Sequence, residues 1–152
     1  MIARELIDTA QIPGGDELRL FRRGDDFMIV LDRNELMSSR MSGSEIALAT
    51  MTCERLAGRK APHLLIGGYG MGFTLRAALA EVDAQARITV AELVPEIIDW
   101  ARGPMAALAA GCLDDRQGGS VCFYEAGWLG IAERACQGAG LSRVAQIYLD
   151  AC

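Results

Sequence analysis

The sequence predicts an α/β fold: a mostly parallel sheet wound with crossover helices, behind an N-terminal β-hairpin segment. Three observations predict it. From Pro62 onward, short apolar strand-like runs alternate with segments of helical period. A glycine-rich loop joins the first such strand to the first such helix. Before Met41 the punctuation is instead Pro-Gly and Gly-Asp turn chemistry between short runs. Strand–helix alternation with a glycine turn at its first junction is the Rossmann-like pattern.

The elements follow in order. Pro13-Gly14-Gly15 is a turn, Glu17–Arg22 alternates, Gly24-Asp25-Asp26 is a second turn, and Phe27–Leu31 is an apolar strand. This hairpin segment occupies residues 1–41. Ser42 with Glu45 three positions later matches a capping box, predicting a helix from Gly43 to Leu56 that stops near Gly58. His63–Ile66 reads as a buried parallel strand, and Leu75, Ala78, Leu79 and Val82 fall at helical spacing behind it. Arg87–Ala91 is the next strand, closing on Glu92. Pro95 opens a helix through Arg102, and Gly103-Pro104 breaks it. Val121–Tyr124 is a third strand, Leu129–Cys136 a third helix and Val144–Leu149 a fourth strand. Residues 42–152 therefore read as the α/β domain.

Composition narrows the function classes. The 152 residues fit one domain, with 51% hydrophobic and 23% charged residues. A net charge of −5, with Lys60 the sole lysine, argues against a nucleic-acid partner, which requires a basic face. No apolar run reaches the length of a membrane span and the N-terminus has no signal core, so a cytoplasmic protein without a membrane partner is expected. The five cysteines are widely spaced and His63 is the single histidine, so no metal site is expected and the thiols read as free.

The strongest chemical feature is Gly67-Gly68-Tyr69-Gly70-Met71-Gly72. Glycines turn the chain sharply after a strand and bring bare backbone to a ligand, while the next helix presents its N-terminal N–H groups and positive dipole end. Glycine turns also serve plain strand–helix packing. Glu92 ends the next strand, where such folds place an acid for ribose hydroxyls; a helix-dipole partner or an exposed acid are the alternatives. Asp150 follows the fourth strand and reads equally as a general base toward an amine or as a solvated acid. Glu125 follows the third strand, where an acid can meet an adenine amino group. Trp100 and Trp128 read as packing residues, and His63 as structural.

These residues carry a resemblance. The run Leu64–Leu79 around the glycine loop, Val90–Glu96, Trp100–Pro104, Glu35–Arg40 with Ser44-Glu45, and Leu113–Arg116 resemble spermidine synthase-like proteins across most of residues 1–116. The resemblance implies a class I methyltransferase fold behind a small β-domain, with S-adenosylmethionine or its decarboxylated form as cosubstrate. By position, Gly67, Gly68, Tyr69, Gly70, Met71 and Gly72 would contact the nucleoside and its methionine-derived portion. Glu92 would hold the ribose, and Asp150 would deprotonate an attacking amine. The implied activity is transfer of an aminopropyl or methyl group to an amine-type nucleophile.

The chain departs from that family in several places. Tyr69 and Met71 stand in a loop that carries an aspartate in the polyamine-making members, Val94 replaces an acid, and Ser38–Gly43 replaces an acidic diamine motif. A dicationic diamine needs carboxylates in place of its water, which argues against putrescine. The domain ends two residues after Asp150, so its C-terminal strands are expected to be missing, and the resulting open edge predicts a homo-oligomer, a dimer. A non-catalytic nucleoside-binding or assembly module is the competing expectation. An NAD-dependent oxidoreductase fits less well, because Gly68, Gly70 and Gly72 alternate instead of following Gly-x-Gly-x-x-Gly.

Overall fold

The computed structural model describes residues 3–114, 120–125 and 144–147. Its first sheet comprises β1 (Glu5–Gln11), β2 (Glu17–Arg23), β3 (Asp26–Leu31) and β4 (Asn34–Ser38), antiparallel and in chain order. The expected hairpin, β2 with β3, lies at its centre, and β1 and β4 extend it to a four-stranded meander. Two-residue loops set the register: Arg23 pairs with Asp26 across Gly24-Asp25, and Leu31 with Asn34 across Asp32-Arg33. Gly24 (φ 62°) and Asp32 (φ 57°) supply the positive φ that tight hairpins need. Leu18, Leu20, Phe27 and Ile29 face the main core, while Met28 and Val30 are buried on the other face of β3.

The second sheet is entirely parallel. Its strands are β5 (His63–Gly67), β6 (Arg87–Glu92), β7 (Ser120–Glu125) and β8 (Val144–Ile147), in the order β7-β6-β5-β8. The α/β content matches expectation, but the N-terminal part is a four-stranded antiparallel sheet, which corrects the expectation of a hairpin segment there. The cause lies in β1 and β4. Of β1 only Ala10 is buried, and β4 is five residues long, so neither carries an apolar alternation strong enough to mark a strand.

Helices α1 (Gly43–Leu56), α2 (Phe73–Glu81), α3 (Pro95–Arg102) and α4 (Ala106–Ala109) complete the described elements. The start of α1 is as expected, but the capping box does not form. Ser42 makes no side-chain cap bond, and Glu45 instead accepts from Ser44 Oγ at 2.8 Å. Pro95 opens α3, whose Ile97, Ile98, Trp100 and Ala101 are buried, and Gly103 closes it by donating to Asp99 O at 2.8 Å. One apolar cluster joins both sheets: Leu18, Leu20, Phe27 and Ile29 from the first, and Leu64, Ile66, Ile88 and Val90 from the second. A polar tie reinforces it, since buried Trp100 donates through Nε1 to Asp8 Oδ2 on β1 at 2.8 Å. None of the described helices is long and apolar enough to cross a membrane.

Candidate functional site

Strand β5 lies between β6 and β8, so the chain order reverses at its edge with β8. Open parallel sheets bind ligands outside the carboxyl ends of their strands at such a switch point. The glycine loop leaves β5 there. Every second residue of the loop is left-handed: Gly68 at φ 84°, Gly70 at 58° and Gly72 at 81°. That alternation explains the alternating glycines in the sequence, because a Cβ at each position would be strained. Gly68 N–H donates to Ala91 O at 2.7 Å and so anchors the loop to β6, while the space where a Gly68 Cβ would stand is open. Bare backbone is thus presented at the loop's first turn.

Glu92 ends β6 beside this turn and is buried, with 6% of its surface exposed. Its Oε2 accepts the Tyr69 N–H at 2.7 Å and its Oε1 the Val94 N–H at 2.9 Å. The carboxylate therefore bridges the glycine loop and the start of α3. Each carboxylate oxygen has two lone-pair directions, so one bond to backbone leaves capacity on each for a further donor. Next to it Leu93 is a large apolar side chain left 44% exposed at the same end of the sheet.

Tyr69 and Met71 are buried as whole residues, 3% and 1% exposed, so the accessible backbone of the loop is that of Gly67, Gly68 and Gly70. The Tyr69 ring lies under Gly72: a Cβ there would stand 2.5 Å from the Tyr69 hydroxyl. That hydroxyl lies 3.6 Å from Cys112 Sγ, and burial first, then the Cys112 bond, push the phenol far above its usual range. Tyr69 is therefore a neutral strut that fixes the loop from beneath. Met37, on β4, holds the loop from the other side. A Cβ at Gly70 would meet its Sδ at 2.5 Å. No local sequence signal marks Met37 or Cys112 as neighbours of the loop, since each reaches it through tertiary contact.

Of the remaining candidates, Glu125 ends β7 with its backbone in register beside Glu92. Asp150, Trp128 and the Leu129–Cys136 helix lie outside the described residues. Trp100 is a packing residue. His63 is held by Thr89, Nε2 to Oγ1 at 2.8 Å; burial first and the Arg87 charge second pull its pKa below the usual 6.5. Among the described residues no three His, Cys, Asp or Glu side chains gather as a metal site would require.

No protein-family profile and no curated protein sequence matches the chain. Among solved structures it is similar to the spermidine synthase from Thermotoga maritima, with a TM-score of 0.66 and 19% identity over 85% of this chain and 42% of that one. It is also similar to a spermidine synthase in complex with the transition-state analogue AdoDATO, at TM-score 0.65 and 20% identity, over 85% of this chain and 43% of that one. The chain thus has a spermidine synthase-like fold and spans less than half the length of these neighbours.

Proposed function

We propose that the chain binds an S-adenosyl-type nucleoside at Gly67–Gly72 and Glu92, as the donor-binding part of a spermidine synthase-like transferase. One observation carries this reading: at the carboxyl end of adjacent parallel strands, a buried carboxylate is locked onto a left-handed glycine turn whose backbone is open at Gly68. A nucleoside complements that arrangement. Its ribose diol donates to the remaining lone pairs of Glu92, and its sugar and 5′ substituent lie along the open side of Gly68, where a Cβ would otherwise stand. Exposed Leu93 provides apolar surface for the base.

The reaction class is aminopropyl or methyl transfer to an amine-type nucleophile, in keeping with the solved neighbours' fold and with a neighbour that holds a transition-state analogue of its own reaction. Transfer of this kind depends mainly on holding the acceptor in line with the carbon next to the sulfonium, and Asp150 is the proposed acceptor of the amine proton. The sheet pattern β7-β6-β5-β8 supports the Rossmann-like, methyltransferase-type assignment of the second sheet.

Calorimetric titration with S-adenosylmethionine, decarboxylated S-adenosylmethionine and NAD tests the reading. Saturable binding of either adenosyl compound with no binding of NAD is the expected result. A folded sample that binds neither removes it. Preference for the intact methionine would identify a methyl donor, and preference for the decarboxylated form an aminopropyl donor.

A further inference from the structure

Met37 is the point where the N-terminal sheet reaches the glycine loop. In the β3–β4 ladder Ile29 pairs with Met37 but Val30 with Glu35, so Leu36 is an extra, unpaired residue. A bulge of this kind re-aims the side chains beside it. Here Met37 is half-buried and its thioether fills the side-chain space of Gly70, with Sδ 2.5 Å and Cε 3.0 Å from the position of a Cβ. The middle of the loop is therefore walled by a polarizable, uncharged group contributed from the other sheet.

Carboxylates are missing from the loop itself. None of its six residues is acidic, and Glu92 directs both oxygens to backbone N–H groups at Tyr69 and Val94. An ammonium group brought beside Gly70 would lose water without meeting a loop carboxylate, whereas an alkylthio group would meet a thioether of its own polarity. We infer that Met37 sets the specificity for the group on the nucleoside's 5′ carbon, favouring an uncharged 5′-alkylthio nucleoside over one with an ammonium-bearing tail. The inference rests on nucleoside binding at the loop, and it applies to both adenosyl donors alike, since each carries an ammonium-bearing tail.

The test is titration of the full chain and of Met37→Ala and Met37→Gln with adenosine, 5′-methylthioadenosine and decarboxylated S-adenosylmethionine. The unaltered chain is expected to bind methylthioadenosine at least about tenfold more tightly than the decarboxylated donor. Met37→Ala is expected to weaken methylthioadenosine by about fivefold to tenfold and adenosine by less than about twofold, as loss of one apolar wall predicts. Met37→Gln, similar in size but with an amide oxygen that accepts from an ammonium, should narrow the preference by about threefold or more, which decides the matter if the alanine variant does not fold. Equal loss of adenosine and methylthioadenosine in Met37→Ala, an unchanged preference in Met37→Gln, or tighter binding of the decarboxylated donor by the unaltered chain would each overturn the inference. Absence of adenosine binding by the unaltered chain would instead overturn the nucleoside reading beneath it.

Discussion

Replacing Glu92 by glutamine separates two roles that the carboxylate can play. In the structure it accepts two backbone N–H groups, from Tyr69 at 2.7 Å and Val94 at 2.9 Å, while 6% exposed. Bonds to a charged acceptor contribute about 1.5–3 kcal/mol each, and a buried donor left unpaired costs about 1–3 kcal/mol. Glutamine is nearly the same shape, but it has one oxygen. That oxygen preserves one bond in neutral form, and the amide nitrogen then faces the other N–H, donor against donor. The sum is a destabilisation of about 2–4 kcal/mol, a large part of the roughly 5–15 kcal/mol typical of a domain. In urea, with a slope of about 2 kcal/mol per molar, the midpoint should fall by roughly 1–2 M at an unchanged slope. Far-ultraviolet circular dichroism of both proteins across the urea series measures this. Coincident midpoints would refute the clamp between loop and α3 and leave Glu92 as a group reserved for ligand.

Three further outcomes are expected. Gly72→Ala forces a Cβ to 2.5 Å from the Tyr69 hydroxyl at a φ of 81°, so thermal unfolding should show a loss of about 2 kcal/mol or more; pairing it with Tyr69→Ala, which removes the obstructing ring, should recover part of that loss in a double-mutant cycle. Trp100→Phe deletes the donor to Asp8 while keeping an aromatic ring in the core, and should cost about 1–3 kcal/mol by urea denaturation; a smaller cost of the same change in an Asp8→Ala background, where the acceptor is absent, would confirm the bond as the cause. The pH dependence follows from His63. Its pKa is lowered on folding by burial and by Arg87, so the folded chain resists the proton that the unfolded chain accepts. The contribution is complete above pH 6.5 and is lost as pH falls below it through the folded value. The melting temperature of His63→Gln should therefore decline less than that of the unaltered chain between pH 7 and pH 5, and parallel declines would exclude His63 as the source.

Local chemistry was readable wherever one residue decides it. Pro95 and Gly103 bound α3 as their backbone constraints require, and α1 runs from Gly43 to Leu56 as its pattern suggests. The alternating glycines were legible as a sharp turn after β5, and Glu92 does lie against it, because the end of one parallel strand is fixed relative to its neighbour. Less was legible where side-chain direction depends on the whole fold. Tyr69 and Met71 look available in the sequence and are buried in the core, because a left-handed turn at every second residue turns the residues between the glycines inward. The strands β1 and β4 escaped notice for the opposite reason. Cross-strand pairing and contacts with α3 and the loop stabilise them, not an apolar pattern of their own.

The parallel sheet also sets an order of events during synthesis. The four antiparallel strands pair with near neighbours in the chain, and β5 can take β6 as a partner once Arg87–Glu92 has been made. Its other edge is completed by β8, where His63 faces Val144. At roughly 5–20 residues per second, elongation from the first of these residues to the second takes on the order of several seconds. For that interval the buried apolar run Leu64-Leu65-Ile66 of β5 has one unsatisfied edge, the kind of surface that pairs with another nascent chain. The glycine turn hangs from that same strand. Conditions that slow translation or crowd the nascent chains should therefore lower the yield of folded protein even when the finished fold is stable, with β5 as the segment through which the lost chains associate.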